Sequence, residues 1–292
     1  MLTETAFIQG PQVKSFEAAL GAYTGAPFVV SCGNGTDALQ IAMMALGLRT
    51  GDEVILPVHT YVATAEVIAL LGLTPVFADV NPDTFTIDIE SIESLITSRT
   101  KAIVPVHLYG QCADMEAILA IARRYNLFVI EDTAQALGAR FTFSDGTTAQ
   151  AGTMGTVGTT SFFPSKNLGC FGDGGAIFTA DAALAERMRM VANHGQKKKY
   201  HHDLVGINSR LDTLQAAILE VKLCHLPEYE HNRRAAADFY DAALSGLSGL
   251  TVPVREPRST HVFHQYTLKA ERRDELKAWL EQRGVPTMIY YP

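Results

Sequence analysis

Two residues of opposite chemistry open the functional reading. Lys166 stands in Ser161-Phe162-Phe163-Pro164-Ser165-Lys166-Asn167-Leu168-Gly169, and Asp132 closes the strand-like run Leu127-Phe128-Val129-Ile130-Glu131-Asp132. Their separation suffices to close one pocket around both. A free lysine amine, with a pKa of ~10.4, is unprotonated in only roughly one molecule in 2,500 at neutral pH, so a nucleophilic lysine needs desolvated or electropositive surroundings. Pro164, Gly169 and the paired phenylalanines fit a tight, partly apolar turn that supplies them. An amine that grips an aldehyde and an acid that keeps a pyridine nitrogen protonated are together what pyridoxal phosphate requires. Taken singly, Lys166 reads as a solvated loop lysine and Asp132 as a strand cap. The pair carries the reading.

A phosphate needs its own cradle, and Ser31-Cys32-Gly33-Asn34-Gly35-Thr36-Asp37-Ala38 offers one between a strand and a helix. Backbone amides and the positive end of the helix suit an anion there, and the glycines permit close approach. Gly33, Gly35 and Ala38 also satisfy G-x-G-x-x-A, so a dinucleotide-binding turn and a nicotinamide-dependent oxidoreductase compete. That reading wants an acid near the carboxyl end of the second strand, whereas Asp52 and Glu53 come at its start. A glycine turn without a ligand is a third possibility at this level.

The elements that must position these residues alternate strand and helix. Val29–Ser31, Glu53–Leu56, Pro75–Ala78, Ala102–Val106, Leu127–Ile130, Thr159–Phe163 and Gly175–Thr179 read as strands. Asp37–Leu46, Thr64–Leu71, Ile89–Ile96 and Met115–Tyr125 carry apolar residues at helical spacing. The pattern predicts an α/β fold: a three-layer αβα large domain with a mostly parallel sheet, whose ligands gather beyond the carboxyl ends of the strands. Helices are expected over Ala182–Asn193, Leu211–Leu223 and Pro227–Leu244. After Gly249, a strand at His264–Leu268, a helix at Asp274–Arg283 and a strand at Thr287–Tyr290 suggest a small, incomplete C-terminal α+β domain. The expected division is a cofactor-binding domain over 1–225, then a connecting helix and partial small domain over 226–292.

Composition narrows the partners. With 292 residues and 47% hydrophobic content the chain builds a substantial core. Its 24 Lys and Arg against 31 Asp and Glu leave a net charge of -7, with no basic field for a nucleic acid. Cys32, Cys112, Cys170 and Cys224 are widely spaced and form no C-x-x-C pair, so neither zinc nor disulfides are indicated and a reducing cytoplasm fits. The adjacent His201 and His202, like His261 and His264, lack further ligands, and no metal is expected. Residues 1–13 lack a basic start followed by an apolar core, and the run Val67–Ala78 is short and interrupted by Gly72 and Pro75. Neither an export signal nor a membrane span is expected.

Read in order, Gly35-Thr36-Asp37, Thr60-Tyr61-Val62-Ala63-Thr64, Glu131-Asp132-Thr133-Ala134-Gln135-Ala136, the Ser161–Lys166 block and Gly206-Ile207-Asn208-Ser209-Arg210-Leu211-Asp212 resemble the DegT/DnrJ family of nucleotide-sugar aminotransferases. The similarity runs from about Gln9 to Pro292. It implies a pyridoxal-phosphate enzyme of the fold-type I kind. By the same resemblance Lys166 is the lysine that carries the cofactor as a Schiff base, and Asp132 the partner of the pyridine nitrogen. Gln135 resembles the amide on the ring oxygen, and Tyr61 the aromatic stacked on the ring face. Gly35, Thr36 and Ser161 fall at the phosphate. Asn208 is implied to reach the phosphate of a neighbouring subunit, which makes a homodimer with shared active sites. Arg210 resembles a residue near the substrate's anionic groups, although a salt bridge to Asp212 is as good a use for it. Tyr290 and Tyr291 fall where relatives line the sugar-nucleotide pocket; as consecutive strand residues they would face opposite ways, so one at most is expected to line a site.

The resemblance implies amino transfer from L-glutamate to a keto sugar linked to a nucleoside diphosphate. Sugar dehydratases of the same family replace the lysine that is present here. A pyridoxal-binding sensor without turnover is the alternative from another class. The basic run Lys197-Lys198-Lys199-Tyr200-His201-His202 reads as a solvated loop, or as a flexible segment that meets a diphosphate. The family's F-I-x-G-P block appears at Phe7–Pro11 and fuller members extend at both ends, so the sequence is expected to be a piece of a longer chain.

Overall fold

The computed structural model describes residues 5–292. Seven strands form its main sheet: β1 (Phe28–Cys32), β2 (Glu53–Pro57), β3 (Thr74–Ala78), β4 (Thr100–Ile103), β5 (Phe128–Asp132), β8 (Val157–Ser161) and β9 (Gly175–Thr179). Two three-residue strands, β6 (Arg140–Thr142) and β7 (Thr148–Gln150), make a hairpin between β5 and β8. Strand order is β1-β9-β8-β5-β4-β2-β3, and only β9 runs against its neighbours. The expected mostly parallel α/β sheet is therefore present. The dinucleotide reading loses its footing here, because β1 and β2 lie far apart in the sheet rather than side by side around the Gly33-Gly35 turn.

Alternation along each strand sorts side chains between two helical layers. Ile55, Ile103 and Val129 face one layer with Ile92, Met115, Ile118 and Ile121; Val54, Leu56 and Ile130 face the other with Leu39, Met43, Val67 and Met188. The first layer contains α4 (Ile89–Leu95) and α5 (Met115–Tyr125); the second contains α2 (Gly35–Leu46), α3 (Ala63–Leu70) and α6 (Ala182–Ala192). At the β1 end, α1 (Pro11–Thr24) and α7 (Thr213–Leu223) cover the first face through Phe16, Leu20 and Leu219 on Val29 and Phe178. All five residues of β2 are buried, as expected of a strand covered on both faces.

Local chemistry sets the boundaries. Asn34, Asp114 and Asp181 cap α2, α5 and α6 by accepting backbone N–H bonds, from Asp37 (2.8 Å), Ala117 (3.2 Å) and Ala183 (2.8 Å). Helix α1 was not anticipated, although Pro11 at its first position, Val13, Phe16 and Leu20 on one stripe and Gly25 at φ 81° are its signals. The β6–β7 hairpin was too short to show a period.

The C-terminal part departs most from expectation. It comprises α8 (Leu226–Leu244), a two-residue ladder of β12 (Leu250–Thr251) with β13 (Lys269–Ala270), and α9 (Arg273–Glu281). His264–Leu268 and Thr287–Tyr290 are not strands. The backbone N–H groups of Val262 and Gln265 bond to Gly110 and Tyr109 of the large sheet's loops, and Arg233 holds the carbonyl of Phe263 at 2.9 Å, so that chain is used as a wall rather than a ladder. The basic run is also more ordered than a loop: β10 (Gln196–Lys198) pairs with β11 (His201–His202), and Lys197 meets Glu186 at 2.6 Å.

Phe16 is fully buried with its ring edge-on to Phe162, centroids 5.4 Å apart, and Phe162 begins the turn that carries Lys166. Phe16→Ala is expected to cost about 3–5 kcal/mol, read as a lower urea midpoint at unchanged slope. An unchanged midpoint would show that α1 does not brace this end of the sheet.

Candidate active site

A cavity of about 610 Å³ opens at the carboxyl ends of the parallel strands. Gly35 and Thr36 enter from the turn after β1, Tyr61 from the turn after β2, Asp132 and Gln135 from the end of β5, Ser161 and Lys166 from the end of β8. Tyr290 and Tyr291 close it from the far end of the sequence. Both tyrosines line it, contrary to the expectation of one, because the segment is not a strand and the alternation argument has no purchase.

Lys166 sits on the tight turn that its neighbours implied. Its N–H donates to the carbonyl of Phe163 at 2.8 Å, and a Cβ on Gly169 would lie 2.4 Å from the Pro164 carbonyl oxygen, so only glycine closes the turn. Burial pulls its ammonium below the ordinary lysine value, with the Asp132 charge opposing. Asp132 is buried, and its carboxylate accepts from Thr64 Oγ1 at 3.1 Å and from the Ala134 N–H at 3.1 Å. Thr64 lies in the same Thr60–Thr64 block as Tyr61, and nothing local in the sequence marks it for this contact.

Gln135 is committed at both ends of its amide. Its Oε1 accepts the Tyr109 N–H at 2.7 Å and its Nε2 donates to Tyr291 Oη at 3.1 Å. Tyr109 in turn donates its hydroxyl to the Tyr290 carbonyl at 2.9 Å, and His59 Nε2 lies 2.9 Å from the same hydroxyl. The C-terminal tyrosines are thus tied to the cavity wall through Gln135 and Tyr109. Tyr61 is largely exposed at 59%, its ring free to take a planar ligand from the cavity side.

At the other end, Asn34 satisfies the N–H groups of Asp37 and Ala38 and leaves those of Gly35 and Thr36 among the unmatched donors at the start of α2. A Cβ on Gly35 would lie 2.7 Å from Ser161 Cβ, and one on Gly175 only 2.4 Å from the Asn34 carbonyl oxygen. Strand end, helix end and Ser161 are therefore packed into a bare backbone cradle suited to a phosphate. With an amine and a carboxylate in the same cavity, the donor set fits pyridoxal phosphate.

Two expected residues lie elsewhere. Ser209, which sequence reasoning passed over, turns inward: its hydroxyl accepts the Gly33 N–H at 2.8 Å and donates to Asp37 Oδ2 at 2.6 Å. Its neighbours Asn208 and Arg210 consequently turn away. Asn208 is exposed, and Arg210 lines a separate depression of about 470 Å³ with Lys14 and Lys197. Arg210 makes no ion pair with Asp212. His264, which the sequence offers only as an insufficient metal ligand, lines the cavity with its Nδ1 buried and unpartnered. Nothing local in the sequence marks it. Among the described residues no group of three or more His, Cys, Asp or Glu is placed to hold a metal ion.

The whole chain, residues 1–292, matches the model of the DegT/DnrJ/EryC1/StrS aminotransferase family, and it belongs to that family. It is 51% identical over 286 residues to a UDP-2-acetamido-2-deoxy-3-oxo-D-glucuronate aminotransferase of Pseudomonas aeruginosa, covering 98% of this chain and 78% of the relative. It is 50% identical over 294 residues to a pleiotropic regulatory protein of Geobacillus stearothermophilus, covering 100% and 78%. The crystal structure of S. venezuelae DesV in complex with a ketimine intermediate superposes with a TM-score of 0.96 at 45% identity, covering 100% of this chain and 77% of that one. The family is one of pyridoxal-phosphate-dependent transaminases.

Burial, with repulsion from Lys166 and Arg233, pulls His264 from 6.5 down to about 3. The unfolded chain therefore takes up a proton below pH 6.5 that the folded chain refuses. This group costs nothing above 6.5, and stability is lost as pH falls from 6.5 toward about 3, by up to about 1.4 kcal/mol per pH unit. His264→Gln is expected to flatten that limb of the melting-temperature profile. A wild-type slope in the variant would mean that His264 protonates freely in the fold.

Proposed function

We propose that this chain transfers an amino group from L-glutamate to a keto sugar linked to a nucleoside diphosphate, using pyridoxal phosphate. One observation carries the proposal: the partly desolvated amine of Lys166 and the buried carboxylate of Asp132 wall one cavity that ends on the open amides of a helix. Relatives named as sugar aminotransferases support the substrate class.

The cofactor, when bound, supplies an aldehyde for amine exchange and a protonated ring that withdraws electrons. Lys166 holds that aldehyde between turnovers. Its Nζ then takes a proton from the donor's α-carbon in one half-reaction and delivers one to the former keto carbon of the sugar in the other. Lowering its pKa by burial raises the fraction present as free base, which both duties need. Asp132 would accept the ring N–H, and Thr64 and the Ala134 amide fix its two oxygens for that purpose. Tyr61 would stack on the ring, worth ~0.5–1.5 kcal/mol beyond the area it buries. Gln135 would donate toward the ring oxygen, and Gly35, Thr36 and Ser161 would take the phosphate.

The outward-turned Asn208 suits a residue that serves the phosphate of a second subunit, and we assign the chain to a homodimer with shared sites. On this reading Arg210, which lines the neighbouring depression, would meet the nucleotide's anionic groups, and Tyr290 and Tyr291 would border the sugar. The working division is a cofactor-binding domain over 1–225 and a smaller one from 226. Among the described residues no helix is long and apolar enough to cross a membrane, and the free cysteines Cys32, Cys112, Cys170 and Cys224 suit a reducing cytoplasm. The regulatory name of the Geobacillus relative favours a second reading, a cofactor-binding sensor without turnover. Release of oxoglutarate from glutamate in the presence of nucleotide keto sugars separates the two.

Lys166→Ala is expected to fold, to lose the absorbance of lysine-bound cofactor and its fixation by borohydride, and to lose at least about 10²–10⁴ in turnover. Persistence of that absorbance in the purified variant would refute the assignment.

A further inference from the structure

Glu131 is fully buried next to Asp132, and the proposed chemistry leaves it idle. Neighbouring strand residues face opposite ways, so its carboxylate enters the α5 side of the sheet while Asp132 faces the cavity. Four donors converge on it. The Gly152 N–H (2.8 Å) and His107 Nε2 (3.0 Å) reach Oε2; the N–H groups of Met154 (2.7 Å) and Gly155 (2.6 Å) reach Oε1. The Ala113 N–H donates to His107 Nδ1 at 3.1 Å, which leaves the ring proton on Nε2 to point at the carboxylate.

We infer that Glu131 is a positioning residue for the cofactor site: its buried carboxylate joins three segments that separately carry Asp132, the Tyr109–Gln135 contact and the approach to Lys166. The inference rests on the cofactor reading above.

The first segment is β5 itself, where the His107 N–H also donates to the Asp132 carbonyl at 3.0 Å. One histidine therefore holds the Glu131 side chain and the Asp132 main chain. The second segment is the 107–113 turn, whose Tyr109 N–H orients Gln135. The third is the 152–155 turn, which feeds directly into β8 and so into Ser161 and Lys166. Glycines let this last turn wrap onto the carboxylate: Gly152 has φ 89°, a Cβ on Gly158 would lie 2.0 Å from the Gly152 carbonyl oxygen, and one on Gly155 would lie 2.7 Å from that of Val129. A carboxylate accepts from all four donors, whereas an amide of the same shape must turn an NH₂ toward at least one of them. Removing the charge therefore loosens all three segments together.

Glu53 provides the control. It too is buried, accepting from Thr97 Oγ1 at 2.5 Å and Arg99 Nε at 2.9 Å, but at the amino end of β2, away from the cavity. Glu131→Gln, Gly155→Ala and Glu53→Gln, stripped of cofactor, are melted and then titrated with pyridoxal phosphate by absorbance, with the pH midpoint of the bound band recorded. Both Glu131→Gln and Glu53→Gln are expected to melt lower. Only Glu131→Gln should weaken cofactor binding, by about tenfold or more, and move the midpoint. Gly155→Ala, which displaces one donor and keeps the carboxylate, should change binding in the same direction and serves if Glu131→Gln does not fold. Wild-type affinity and midpoint in whichever of these variants folds would overturn the inference and leave the functional reading intact. Failure of the wild-type chain to take up pyridoxal phosphate would overturn the functional reading and this inference with it.

Discussion

The site depends on keeping an amine and a carboxylate together out of water. Desolvation pushes Lys166 toward its neutral form and the Asp132 charge pulls the other way. The outcome is useful only because both are fixed by other bonds rather than by each other. Asp132 is held by Thr64 and the Ala134 amide, and Lys166 by the turn closed at Gly169. A direct, tight ion pair would spend the amine. A buried amine with no carboxylate in the cavity would have no counterpart for the cofactor ring.

That separation is a consequence of the sheet. Parallel strands deliver all their carboxyl ends to one edge, so residues from β1, β5 and β8 meet there although more than a hundred positions separate Gly35 from Lys166. The strands are packed too closely at this edge for side chains at Gly35, Gly158 and Gly175. Bare backbone at Gly35 opens onto the cavity, and bare backbone at Gly158 lets the 152–155 turn close on Glu131. The same close packing that builds the anion cradle therefore builds the support behind Asp132.

Much of the cavity's lining was legible in the sequence, and the reason is local. Gly35-Thr36, the Asp132–Gln135 block and the Ser161–Lys166 turn are each short segments whose residue types state their own geometry, and the structure brings all of them to one cavity. Of the wall contributed by residues 262–291, the resemblance pointed to Tyr290 and Tyr291, while His264 and Gln265 were not legible. Val262, Gln265 and the two tyrosines are held by hydrogen bonds to Gly110, Tyr109 and Gln135, roughly 150 positions away, and carry no periodicity of their own. His264–Leu268 and Thr287–Tyr290 do not form the expected strands, because four or five residues with strand-like side chains read the same whether the segment pairs or lines a wall. Ser209 was missed for the opposite reason, since it sits between two residues whose chemistry drew attention outward.

By itself the sequence determined which residues could form strands and helices, where caps and glycines had to fall, and that a lysine, an acid and a phosphate-binding turn were present. These follow from side-chain period, backbone sterics and charge, all of which act over a few residues. Only the tertiary structure decided which of those residues share one cavity: that Asn208 and Arg210 leave it while Ser209 enters the wall, that both terminal tyrosines line it, and that Glu131 gathers four donors behind Asp132. Burial and hydrogen-bond satisfaction are properties of the packed whole, and no short stretch of chain carries them.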